Sequence, residues 1–221
     1  MSRGDLSATD RHRAQHALAL DYLKAGLLDR AEDALLKLEG TAFEAQARLA
    51  LLANYERSRD WSHAARMAKK LDSADQGNFS SRLAHYLCEQ SAELEANGSP
   101  QEAQALLVQA IATAPAAPRP RIALARLQQL QGRTDAAWQT LTDAATAAPE
   151  SLPLLAGKLA ELAVSSGHGD ETLASLKASY ASYPSLDVLE AIVTLEAASA
   201  APSPSARDWY VHHLEREPSL V

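Results

Sequence analysis

The sequence predicts an all-α fold made of repeated helix pairs, and three observations carry that prediction. A pattern recurs in register: Gly98, Ala103, Leu107 and Pro115 return as Gly132, Ala137, Leu141 and Pro149, each pair 34 residues apart. These residue types stand where a helix–turn–helix needs them. Gly ends a first helix, a small Ala lets the second helix approach closely, and Pro closes that second helix because it cannot continue one. Finally, hydrophobic residues make up 47% of the chain but aromatic ones only 5%. That balance suits helices packed through small side chains and leaves few β-branched or aromatic runs for strands. A fixed period of about 34 residues with Ala and Pro at set phases is the signature of the tetratricopeptide repeat. The predicted fold class is therefore all-α, a right-handed tetratricopeptide superhelix (an α-solenoid).

Taken in order, residues 1–11 read as a polar lead-in loop, with Thr9 or Asp10 placed to cap the first helix. Five repeats then fill 12–186. The first, about 12–45, carries Ala19 and Tyr22 on its first helix, Gly26 at the turn, and Ala31, Leu35 and Leu38 on its second. The next, about 45–78, carries Tyr55, Trp61, Ala64 and Leu71. The interval from Ala64 to Ala103 stretches to 39, and the extra residues fall in the polar segment 72–79. The two copies that match best occupy about 84–117 and 118–151. The fifth, about 153–186, has Ala160, Gly167 and Pro184, with Thr172 in place of the usual small Ala. Residues 187–221 form a degenerate sixth repeat or cap, with Ala206 and Pro218 in phase and a Pro/Ser-rich breaker at 198–205.

Composition excludes several classes. A net charge of −7 argues against nucleic acid as the main partner. The single cysteine, Cys88, excludes an internal disulfide and any cysteine-based metal centre. No run reaches the roughly 18 apolar residues of a membrane span, and the first ten residues lack the apolar core of a signal peptide. No phosphate-binding glycine loop, nucleophile elbow or supported carboxylate pair is present, so the reading is not an enzyme. His12 and His16, four apart, lack a third ligand for a metal.

In this architecture the first helices line a groove, and repeat phase selects its inward positions. The first copy contributes Arg13, His16, Leu20 and Lys24; the second contributes Leu49, Glu56 and Arg57. The third contributes His85, Cys88, Glu89 and Glu95; the fourth Arg119, Ile122, Arg126 and Gln129; the fifth Leu154, Lys158 and Glu161. The partner-binding candidates among these are Arg13, His16, Lys24, Arg57, His85, Glu89, Arg119, Arg126 and Lys158. The surplus of basic residues fits an acidic segment of a partner, and a plain solvated helix face is the competing reading. Arg119 and Arg126, two turns apart on one face, are the best pair for a bidentate carboxylate contact. The Lys/Asn set that clamps the C-terminal carboxylate of heat-shock chaperones is absent. Its positions here read His16, Leu49, Cys88, Ile122 and Gly157, then Leu20, Ala53, Ala92, Arg126 and Glu161.

The wording of three segments is more specific than the repeat. Residues 18–33 (LALDYLKAGLLDRAED), 54–65 (NYERSRDWSHAA) and 84–90 (AHYLCEQ) resemble consecutive repeats of the lipopolysaccharide assembly protein B (LapB) family of Gram-negative bacteria. The resemblance covers about 14–220 and fades toward the end. Members of that family are longer, with an N-terminal membrane helix and a C-terminal rubredoxin-like metal knuckle built on Cys-x-x-Cys pairs. Neither has a counterpart here, so the resemblance implies a fragment, either an engineered soluble core or a truncated reading frame, with no cofactor of its own. It implies an adaptor at the cytoplasmic face of the inner membrane that regulates lipopolysaccharide synthesis. The family does so by presenting the LpxC deacetylase to the FtsH protease, and those two are the partners expected. Contact with the membrane would run only through the missing anchor. The alternative is a generic self-associating repeat scaffold, for instance a homodimer, with an unknown partner.

Overall fold

The computed structural model describes residues 7–74, 78–182, 184–199 and 206–216. Six helix pairs follow one another in these residues. They are α1 (Ala8–Lys24) with α2 (Leu28–Leu36), α3 (Glu44–Ser58) with α4 (Trp61–Ser73), and α5 (Ser80–Ala96) with α6 (Pro100–Thr113). Then come α7 (Pro118–Leu130) with α8 (Thr134–Ala147), α9 (Leu152–Ser166) with α10 (Gly169–Ser182), and α11 (Leu186–Ala198) with α12 (Ala206–Arg216). A 3-10 turn, Pro149–Ser151, joins α8 to α9. No strand occurs among the described residues. The fold is that of a tetratricopeptide array.

Three sequence devices recur in the pairs. The turn is closed by a residue in the left-handed region, with φ of +73° at Gly26, +57° at Arg59, +78° at Gly98, +75° at Gly132 and +79° at Gly167. The amide one residue on then reaches back five residues to a carbonyl in the last turns of the helix. These bonds run from Leu27 to Tyr22, Asp60 to Tyr55, Ser99 to Leu94, Arg133 to Gln128 and His168 to Ala163, at 2.8–2.9 Å. This is the Schellman arrangement for ending a helix. The small residue of the second helix sits at the closest approach: Ala31, Ala64, Ala103 and Ala137 are fully buried, and Thr172 nearly so. One turn on, Leu35, Ala68, Leu107, Leu141 and Leu176 are at most 1% exposed, and each such leucine contributes about 1.5–3 kcal/mol by leaving water. Pro115, Pro149 and Pro184 stand two residues beyond the ends of α6, α8 and α10, where a missing amide costs no helical bond.

The chain forms two compact units, Met1–Ala114 and Pro115–Val221. Within the first, each helix packs on its neighbour in the order α1 to α6; within the second, α7 to α12 do the same. The widened interval after α4 does not separate units. There α4 and α5 pack together, and the Phe79 amide donates to Asp72 Oδ1 at 3.1 Å across the loop. In the second unit, α8, α9, α10 and α11 share one apolar core around Leu141, Leu155, Leu162 and Ile192. The last helix packs Trp209 and Tyr210 against this core and is also held by polar bonds. The Tyr180 hydroxyl bonds His213 Nδ1 at 2.5 Å. Trp209 Nε1 donates to Glu196 Oε2 at 2.7 Å, and Lys177 Nζ lies 2.6 Å from the other carboxylate oxygen.

The lead-in differs from expectation. The first helix begins at Ala8, and Ser7 caps it through Oγ, which accepts the Asp10 amide at 3.1 Å. Thr9 and Asp10 therefore lie inside the first turn, where Asp10 suits the positive helix end. Residues 1–6, most of the breaker at 198–205, and Pro218 lie outside the described residues.

Candidate functional site

The first-helix face of each unit carries the residues that phase selected, and much of its charge links one first helix to the next. In the first unit, Arg57 on α3 donates to the Leu23 carbonyl in the last turn of α1, a favourable place for a cation at a helix C-terminus. Glu56, its neighbour, reaches the other way. Arg82 on α5 donates through Nη2 to both Glu56 oxygens at 2.7 Å and through Nε to one at 3.2 Å, and the Tyr86 hydroxyl donates to the same carboxylate. Burial, aided by that hydrogen bond, pushes the Tyr86 phenol well above its ordinary range. Burial lowers the basicity of Arg82, but the Glu56 bond and charge outweigh it. Tyr55 is the same kind of group on the other side of α3. It is raised first by burial, then by its bond to Glu32 Oε1 at 2.8 Å.

In the second unit the corresponding link joins α7 to α9. Gln129 Nε2 donates to Glu161 Oε1 at 3.1 Å, and Lys158 Nζ donates to both Glu161 oxygens at 2.7 and 2.8 Å. Those two bonds, Lys158 first and Gln129 second, hold the Glu161 carboxyl below its usual range.

Six of the nine expected contact residues lie in the first unit and three in the second. Arg13 pairs with Asp10 at 3.4 Å and Lys24 with Asp21 at 3.6 Å, both on well-exposed side chains. Such surface pairs contribute only about 0–1 kcal/mol and open readily. His16 packs its ring 5.8 Å from Phe43. His85 lies 3.9 Å from Glu89 on the same helix and meets the Trp61 ring edge-on at 5.7 Å. Arg119 and Arg126 are exposed on α7, with about 10 Å between their Cα positions at helical rise. Cys88, which phase placed toward the groove, is buried at 5% exposure in α5. Sequence reasoning missed Arg82 and Tyr86. Their bonds to Glu56 span 26 and 30 residues, and neither spacing is the repeat period that guided the reading. Among the described residues no three His, Cys, Asp or Glu side chains converge as a metal site. No described helix is long and apolar enough to cross a membrane.

Comparison with known proteins fits this architecture. The tetratricopeptide repeat family matches residues 94–162. Lipopolysaccharide assembly protein B of Haemophilus influenzae is 31% identical over 121 residues, which cover 54% of this chain and 30% of that protein. The protein of that name from Escherichia coli K12 is 29% identical over 142 residues, 64% of this chain and 36% of that protein. The alignments thus span about a third of the length of these relatives. A crystal structure of MamA protein superposes with a TM-score of 0.48 at 16% identity, over 81% of this chain and 94% of that one. The chain carries a tetratricopeptide region similar to lipopolysaccharide assembly protein B.

Proposed function

We propose that this chain is a protein-interaction adaptor in lipopolysaccharide assembly, working through the first-helix faces of its repeats. The observation that carries this reading is the similarity to lipopolysaccharide assembly protein B across the repeats. A repeat scaffold offers extended helix faces, and its contribution in this reading is to hold partners. In the finer form of the proposal, the chain holds an LpxC-type deacetylase for delivery to an FtsH-type protease at the cytoplasmic side of the inner membrane. Arg119 and Arg126 are exposed residues, and arginine is the side chain best suited to carboxylates on a partner.

The test is calorimetric titration of the chain with purified LpxC-type deacetylase. Binding is expected, and the double variant Arg119→Glu with Arg126→Glu should lose it while its helical circular dichroism stays intact. Absence of binding to the unmodified chain would sink the deacetylase reading. Unchanged affinity in the double variant would sink the assignment to the α7 face.

A further inference from the structure

The second-helix sides of the two units differ at equivalent places. In the second unit an open cleft of about 810 Å³ lies between α8 and α10. In the first unit the gap bounded by α2 and α4 measures only about 40 Å³. Repeat register makes the comparison residue by residue. Aligning Ala31 with Ala137 and Ala64 with Thr172 pairs Leu36 with Thr142, Glu39 with Ala145, Met67 with Ser175 and Lys70 with Ala178. All eight line their own gap. Long side chains fill the first gap, and short ones leave the second open.

The open cleft is framed by fixed parts. At their N-terminal ends α8 and α10 are joined by a bond from Trp138 Nε1 to Thr172 Oγ1 at 2.9 Å, both side chains buried. The His168 ring stacks on Trp138 at 3.8 Å and 6°. Beyond this join, Leu152, Leu159 and Val188 make an apolar floor. One wall is Ser175, Ala178, Ser179 and Ser182, at the i, i+3, i+4, i+7 spacing of a single helix face. Among the described residues the ionisable side chains lining the cleft are Glu150 and Glu171, both acidic; His168 Nδ1 lies 3.5 Å from Glu171.

We infer that the α8–α10 cleft is a docking site for an amphipathic helix of a partner protein, with an aliphatic stripe and flanking Lys or Arg. Small-residue walls let a helix backbone come close, and the floor receives its leucine side chains, the helix-in-groove mode of recognition. The volume lies within the roughly 300–1,000 Å³ of ordinary ligand clefts. The two glutamates, with no cation among the described lining residues, set the charge of the occupant. This site opens between second helices, away from the Arg119 and Arg126 positions, and does not depend on the first-helix reading above.

The test uses the whole chain and a labelled synthetic peptide of about 15 residues, four helical turns, with leucines at i, i+3/i+4 and i+7 and lysines elsewhere. A peptide of the same composition in scrambled order is the control. Fluorescence anisotropy should show saturable binding of the patterned peptide. The variant Thr142→Leu with Ser175→Met, which restores the first unit's residues, should bind more than about tenfold more weakly, a readily measured change. Ala178→Lys, a single change at an exposed position of α10, should weaken binding too and guards against a misfolded double variant. Equal binding of patterned and scrambled peptides, or equal binding to native and filled clefts, would overturn the proposal. So would a dimer of the native chain, seen by sedimentation, that filling the cleft abolishes, since the occupant would then be a second copy.

Discussion

The two units share one backbone plan and differ in what their side chains do between repeats. In the first, Glu56, Arg82 and Tyr86 tie α3 to α5 through a partly buried carboxylate. Leu36, Glu39, Met67 and Lys70 occupy the space beside the second helices. In the second, the first-helix link is the exposed hydrogen bond from Gln129 to Glu161, and the second helices stand around an open cleft. The periodic residues set the helix pairs; the residues that vary between copies decide whether a face is closed or available. In a repeat protein the places where copies disagree are therefore the first places to look for partners.

The largest expected effect breaks the join that frames the cleft. Trp138→Ala removes a side chain only 6% exposed, its hydrogen bond to Thr172 and its stack with His168. A loss of about 3–5 kcal/mol is expected, as for other buried Trp truncations, read from urea unfolding midpoints. A loss under about 1 kcal/mol would mean that α8 and α10 hold their separation without this join, and the frame described for the cleft would be wrong.

An intermediate effect belongs to the first unit. Glu56→Gln removes the charged acceptor shared by Arg82 and Tyr86 and is expected to cost about 1.5–3 kcal/mol, the range for hydrogen bonds to charged groups. The same region sets an alkaline limit. Tyr55 and Tyr86 keep their protons in the fold above the ordinary value of 10.0. The unfolded chain then releases protons that the folded chain retains. Their contribution to stability is complete below pH 10 and falls as pH rises above it. Absorbance titration at alkaline pH should show two tyrosines ionising late in the folded chain. In Glu56→Gln, Tyr86 should move only part of the way back, because burial is the larger cause of its shift. A full return to ordinary behaviour would reverse that ranking.

Legibility in the sequence follows the same division. Ala31, Ala64, Ala103 and Ala137, the turn glycines and the closing prolines are local requirements of a helix pair, so their spacing alone revealed the fold. The site was less legible because its partners are set by tertiary contact. Arg57 is bonded to a backbone carbonyl 34 residues away, an acceptor with no side-chain signal. Cys88 shares a first-helix phase with exposed residues yet is buried, which phase alone does not reveal. The cleft is invisible to a search for similarity between copies, because it consists of their differences at Thr142, Ala145, Ser175 and Ala178.

The smallest effect tests whether the shared plan is as uniform as it looks. Four of the five turns place Gly at the left-handed position, and the turn after α3 places Arg59 there at φ +57°. A Cβ in that region costs about 1–2 kcal/mol, whereas Gly adopts it freely at a cost of about 0.5–1 kcal/mol in unfolded-chain entropy. Arg59→Gly should therefore leave a net gain of a few tenths to about 1 kcal/mol. The reverse experiment, Gly132→Ala in the second unit, should lose about 1 kcal/mol. An added Cβ there meets nothing within 4 Å, so its effect isolates backbone strain from crowding. Opposite signs in paired denaturation curves are the expected outcome. A loss in Arg59→Gly would mean that the Arg59 side chain contributes more than its backbone conformation costs, and that this turn is held by contacts its four counterparts lack.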